Sequence, residues 1–185
     1  AAVEKEDYAE AKELLLRAVG EYPHNLGEGK LESGQENNLY YLLGLVQEKL
    51  GEAKDAFESL TRACCGESEP VGMMYYNDQP PEMIYYQGLA YRMLGEEEQA
   101  VRRFQKLVDY GREHIRDDVK IDYFAVSLPD LLIFEENLNE RNRKHCLFMM
   151  SLGLKGLGRI DEAEKCAEEL LAMDNAHQEI RVHDL

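Results

Sequence analysis

The sequence predicts an all-α chain: an array of antiparallel helix pairs interrupted by long insertions. Three observations carry that prediction. A constellation of a small residue, Leu-Gly and Ala recurs three times with fixed internal spacing. Each copy lies between apolar stripes at helical spacing. The 185 residues are 44% apolar, enough for one domain or one continuous array with a real core. In the constellation, Leu50-Gly51, Leu94-Gly95 and Leu157-Gly158 each follow a small residue placed seven positions before the glycine (Gly44, Gly88, Ser151), and Ala56, Ala100 or Ala163 comes five positions after it. Self-similarity of this kind is the mark of a repeat architecture.

Elementary physics reads the unit as two helices. A small residue midway along the first helix lets the second approach, and Leu-Gly ends the first because glycine takes the left-handed conformation without penalty. The Ala on the second helix is the expected point of close contact.

Taken in order, residues 1–23 read as a half repeat, with Tyr8, Ala11, Leu15, Ala18 and Pro23 on a second helix that lacks its first. An insertion from His24 to Asn37, rich in Gly, Glu and Asn, leads to the repeat at 38–65, whose first helix carries Leu39 to Leu43. The next insertion, Gly66 to Pro81, contains Met73-Met74-Tyr75-Tyr76-Asn77-Asp78-Gln79-Pro80-Pro81. There Asp78 is placed to cap a helix with the prolines in its first turn. The repeat at 82–110 opens with Met83 to Tyr86. Segment 111–138 is too apolar for a loop. It predicts an extra helix from about Leu128 to Asn137, capped by Ser127, with Pro129 in its first turn and Asp130 near its positive end. Asp122-Tyr123-Phe124 before it fits a strand-like stretch or one helical turn. A second cap near Asn139 opens the repeat at 139–175, and 176–185 is a tail.

The pattern of small residue, Leu-Gly and Ala resembles the tetratricopeptide repeat, and that resemblance implies a right-handed superhelix. The spacing departs from it: Ala11, Ala56, Ala100 and Ala163 are 45, 44 and 63 residues apart, against a period of about 34. Insertions at every junction account for the excess. As a set, Asn25-Leu26-Gly27-Glu28-Gly29-Lys30, Asn77-Asp78-Gln79-Pro80-Pro81 and 122–130 resemble the C-terminal repeat region of large bacterial proteins with an uncharacterised β-rich N-terminal domain. In that family the β-rich part is suspected of a carbohydrate link. A start at Ala-Ala-Val, inside a repeat, fits a piece excised from something longer. The uncovered half repeat is then expected to expose Leu14, Leu15 and Val19, a face through which the fragment can self-associate.

With 37 acidic against 21 basic residues the net charge is −16. Such a surface repels phosphate backbones and anionic lipid, so neither nucleic acid nor membrane is an expected partner. Four cysteines without C-x-x-C spacing form neither a disulfide framework nor a zinc knuckle, and a reducing, cytoplasmic setting follows. No nucleophile-elbow, P-loop, zincin or dinucleotide fingerprint is present, so no catalytic residue, metal ligand or cofactor is assigned. His24, His114, His145, His177 and His183 are far apart in sequence, although His177 and His183 can approach each other. The paired acids Asp117-Asp118 and Glu135-Glu136 read as solvated helix faces, and Cys146 and Cys166 as small apolar residues between the last two helices.

The informative surface is the concave side, which the first helices line in this repeat type. Alignment places Asn38, Tyr41, Leu42, Leu45 and Glu48 beside Glu82, Tyr85, Tyr86, Leu89 and Arg92, then His145, Phe148, Met149, Leu152 and Lys155. An aromatic recurs at Tyr41, Tyr85 and Phe148. In one reading these rings pack on neighbouring helices or lie under the insertions. In the other they form a groove for an extended peptide or another domain, with Asn77 and Asp78 at its mouth. Superfamily grooves that grip a chaperone's C-terminal carboxylate place Asn where Leu45 and Leu89 stand here, which argues against that function. The expected role is therefore non-catalytic binding of a protein, a peptide or the chain's own upstream domain. The alternative is an accessory part of a carbohydrate-active enzyme, with Tyr85, Tyr86, Asn77, Asp78 and Asp122-Tyr123 around a small-molecule pocket holding a strongly perturbed carboxylate.

Overall fold

The computed structural model describes residues 2–3, 5–20, 34–72, 78–119 and 137–183. Every regular element among them is a helix: α1 (Tyr8–Gly20), α2 (Asn37–Lys49), α3 (Ala53–Ala63), α4 (Pro81–Met93), α5 (Glu97–His114), α6 (Leu138–Gly156), α7 (Ile160–Met173) and α8 (Gln178–Val182). The pairs α2/α3, α4/α5 and α6/α7 are the three expected units. Each second helix also packs on the first helix of the next pair, and α1 packs on α2. The array is continuous across the long third insertion, because α5 lies directly against α6. The extra helix expected near 128–137 and the Asp122-Tyr123-Phe124 stretch lie outside the described residues, apart from Asn137.

The Leu-Gly signal acts in all three places as the physics requires. Gly51, Gly95 and Gly158 have φ of +78°, +80° and +74°. The Gly51 N–H donates to the Glu48 carbonyl at 3.0 Å and the Glu52 N–H to Gln47 at 2.9 Å; Gly95 and Glu96 repeat this on Arg92 and Tyr91, and Gly158 and Arg159 on Lys155 and Leu154. These are three copies of the Schellman motif, which satisfies the last carbonyls of each first helix.

Helix starts differ from expectation. Pro80, not Asp78, occupies the cap position of α4; it makes no side-chain cap, and Pro81 fills the first turn. The cap of α6 is Asn137, whose side chain accepts from the Glu140 N–H at 3.2 Å. Asn139 instead accepts from the Val119 N–H and donates to Asp118, fastening the end of the α5 region to the start of α6. The second helix of the middle unit runs to His114, past the expected repeat end at 110.

Close approach spans the Ala position and the turn after it, since a Cβ on Gly44 would sit 3.3 Å from the Ala56 carbonyl. Ala56, Ala100 and Ala163 are all buried; a Cβ on Gly44 would also sit 2.7 Å from Leu60, and one on Gly88 would sit 2.4 Å from the ring of Phe104. Phe104 is fully buried and is the keystone of the larger core. Gly88 of α4 and Gly156 of α6 both leave room for its ring, while Gly153 rests 2.5 Å, in Cβ terms, from its carbonyl oxygen. Burying a phenylalanine side chain contributes about 3 kcal/mol, and three glycines on two helices are the geometric condition for it.

Buried amides close the second helices. The Asn37 side chain donates to the carbonyls of Ala63 (2.8 Å) and Cys65 (2.7 Å) at the end of α3, and Asn142 donates to that of His114 at the end of α5 (2.7 Å). Gln87 donates to Cys65 and Glu67 and accepts from Arg103, pinning the start of the second insertion to α4 and α5. On α1, Leu15 and Val19 are half-buried rather than exposed; the exposed apolar side chains are Leu14 (48%) and Leu16 (45%). Cys146 is fully buried and Cys166 partly so, both within the larger core.

Candidate interaction site

The first helices α2, α4 and α6 lie in sequence along one face, where α2 touches α4 and α4 touches α6. Their aromatic side chains differ in burial. Tyr41 of α2 is half-buried and meets Tyr86 of α4 with ring centroids 5.4 Å apart. Tyr85, the residue aligned with Tyr41, turns inward: it is buried and packs on Phe104 at 5.7 Å. Tyr86, one residue along from the aligned position, is the α4 ring that meets Tyr41. Phe148 of α6 is buried as well.

What covers this face is the last described segment. After α7 the chain turns at Asp174, whose carboxylate accepts from the Ala176 N–H, and then folds back through α8. His177 packs on Phe148 at 5.4 Å. Ile180 is 1% exposed and belongs to the larger core. The His183 ring stands 6.0, 5.7 and 5.9 Å from the rings of Tyr85, Tyr86 and Phe148. The Lys155 ammonium at the end of α6 donates to the His183 carbonyl. His177 and His183 do converge, but on a phenylalanine ring. Among the described residues no group of three or more His, Cys, Asp or Glu is arranged to hold a metal.

The remaining aligned residues are spread along the face. Leu45 and Leu89 are half-buried, and Leu89 packs on the larger core. Asn38 is half-buried, its side-chain oxygen accepting from the Leu39 N–H. Arg92 is committed to the carboxylate of Glu97 through Nε and Nη2 and lies 5.0 Å over the Phe104 ring. The His145 Nε2–H donates to the Val71 carbonyl at 2.7 Å, and burial lowers its pKa. Asp78 is half-buried just ahead of α4. Asn77 lies outside the described residues.

Burial raises the pKa of Tyr41 and Tyr86, and that of Tyr85 to about 12, so all three hydroxyls keep their protons at neutral pH. A cavity of about 320 Å³ opens between the start of α4, α6 and residues 174–179; its walls include Pro81, Glu82, His145, Phe148 and His177. Burial, with a smaller push from Glu179, raises the Glu82 pKa. Tyr85, Tyr86 and Asp78 do not border this cavity, and Asn77, Asp122 and Tyr123, the other residues of the carbohydrate alternative, lie outside the described residues. The Cys64 and Cys146 thiols are pushed up to about 12 by burial and are poor nucleophiles.

The contact of residues 177–183 with this face is not apparent from composition or motif. A signal was present: His177, Ile180 and His183 fall at i, i+3 and i+6, one stripe of a helix. Residues 82–110, which comprise most of α4 and α5, match the tetratricopeptide repeat family model. That match supports the superfamily resemblance. Repeats of this family generally mediate protein–protein interaction and are typically non-catalytic. No helix among the described residues is long and apolar enough to cross a membrane.

Proposed function

We propose that the chain is a non-catalytic interaction module whose concave face, built on Tyr41, Tyr86 and Phe148, binds a peptide, a partner protein or the chain's own upstream domain. The observation that carries this reading is the occupancy of that face: a separate segment, residues 177–183, is seated on its rings through one aliphatic and two imidazole side chains. A surface that takes up one such segment has the chemistry to take up another, with aromatic rings for apolar contact and Lys155 for a backbone carbonyl. Leu45 and Leu89 remain apolar parts of its floor, and Asn38 and His145 its polar rim. Four free cysteines suit a reducing compartment such as the cytoplasm. The net charge of −16 favours fast encounter with basic partners at low salt.

The test is a pulldown from a bacterial lysate with wild type beside Tyr41→Ala/Tyr86→Ala, scored by mass spectrometry. Tyr86 replaces Tyr85 in the design because Tyr85 is a core residue. A protein held by wild type and reduced about tenfold in the folded double variant is the expected result. Capture that ignores both substitutions contradicts the assignment of the face.

A further inference from the structure

The segment on the concave face describes the partner that would replace it. Residue by residue its hold is narrow. Among its side chains only Ile180 is fully buried, while Val182 is 71% exposed and Glu179 and Arg181 also face solvent. His177 and His183 flank Ile180 by one turn on each side and lay their rings on Phe148, Tyr85 and Tyr86. From the array, the Lys155 ammonium donates to the His183 carbonyl. Arg181 donates to the Asn175 carbonyl, and His183 Nδ1 meets the Glu179 carbonyl.

A five-residue helix is too short to persist without a surface to form on, so α8 is helical because the groove holds it. The array beneath does not depend on α8 in the same way. Phe104, Leu107, Val108, Leu147, Met149 and Leu170 fill the α4–α7 core from within those helices. Cost and benefit thus separate: releasing the segment uncovers one aliphatic side chain and three rings, and leaves the helix pairs with their own contacts.

We propose that residues 177–183 are an intramolecular stand-in for the partner of the concave face, so that binding requires α8 to leave. This rests on the reading of that face as a recognition surface. The partner it fits is a short amphipathic helical segment with Ile or Leu at the Ile180 position and an imidazole or aromatic ring one turn before and one turn after. Its final carbonyl faces Lys155. Such a segment displaces α8 by matching its contacts, and the chain is held closed until a better match arrives.

The test supplies the segment in trans. A fluorescein-labelled peptide of residues 176–185 is titrated by anisotropy into wild type, into Ile180→Asp, and into Ile180→Asp/Tyr86→Ala. Wild type, with its groove occupied, is expected to bind about tenfold more weakly than Ile180→Asp, and addition of Tyr86→Ala is expected to remove the gain. A peptide carrying its own Ile180→Asp change should not bind any of the three. Equal binding to wild type and Ile180→Asp, or binding that ignores Tyr86, overturns the proposal.

Hydrogen exchange on wild type gives a second readout that needs no variant to fold. Amides of 178–183 should exchange about 100-fold faster than those of α6, because the segment opens by itself. Protection equal to that of α6 means it leaves only when the array unfolds, and the proposal fails. Neither experiment uses a foreign partner. A lysate protein captured through Tyr86 with no peptide binding in trans would therefore overturn the stand-in and leave the recognition surface, whereas failure of both would overturn the recognition surface itself.

Discussion

The three Leu-Gly turns and the three aligned aromatics come from the same repeats, yet they behave in opposite ways. Gly51, Gly95 and Gly158 share one conformation and one pair of hydrogen bonds. Tyr41 is half-buried on Tyr86, Tyr85 is turned into the core against Phe104, and Phe148 lies beneath His177 and His183. A turn is fixed by its own few residues, so equivalent positions give equivalent structure. The exposure of a side chain on the concave face is fixed by whatever passes over it, here a segment some thirty positions beyond Phe148 in the chain.

The comparison can be broken most strongly where helices meet. Gly153→Ala would place a Cβ 2.5 Å from the Phe104 carbonyl and 2.8 Å from Val108, and the backbone atom cannot step aside. A loss of about 3 kcal/mol in urea unfolding is expected. Gly44→Ala meets only the flexible end of Leu60 before the Ala56 carbonyl at 3.3 Å, and should cost about 1 kcal/mol.

Among the aromatics, Phe148→Ala should cost about 4 kcal/mol and Tyr41→Ala about 1 kcal/mol, because only the first removes a buried ring from the main core. The turns should instead respond alike. Replacing Gly51, Gly95 or Gly158 by Ala should cost about 1 kcal/mol in each case, since no neighbour lies within 4 Å of the added Cβ and the penalty is purely the positive φ. A wide spread among the three turns, or equal costs for Phe148 and Tyr41, would dissolve the contrast.

The smallest expected effect is electrostatic. Burial and the neighbouring Glu179 raise the pKa of Glu82 in the folded chain, so its ionised form opposes folding at neutral pH. That cost is relieved as pH falls through the raised value, and it is absent once the carboxyl is protonated in both states. Glu82→Gln should therefore raise the melting temperature at pH 7, and the gain should vanish by about pH 4. A gain independent of pH would assign the effect to packing.

How much of this was legible follows from the same contrast. Helix pairing, the Leu-Gly ends and the buried Ala positions rest on local rules, and they could be read from spacing alone. The caps of α4 and α6 fall two positions from those expected; at α6, Asn137 and Asn139 compete for the role, and bonds to Val119 and Asp118 claim the second of them. Tyr85 packs on Phe104, for whose ring Gly88 and Gly156 make room, while Tyr86 meets Tyr41; alignment of the repeats alone does not separate the two. The approach of His177 and His183 to each other was legible, but not the face they cover, because the chain reversal at Asp174 has no strong turn dipeptide. Their common stripe with Ile180 was the clue that spacing did contain.

The most direct measurement is the proton NMR spectrum of the His183 ring and the Ile180 methyl groups in the wild-type chain. An occupied concave face predicts nuclear Overhauser contacts from His183 to Tyr86 and Phe148, with the His183 ring and Ile180 methyl resonances moved off random-coil positions by the surrounding rings. Random-coil shifts with no contact to either ring would show that residues 177–183 do not lie on the groove, and would contradict both the occupancy and the reading built on it.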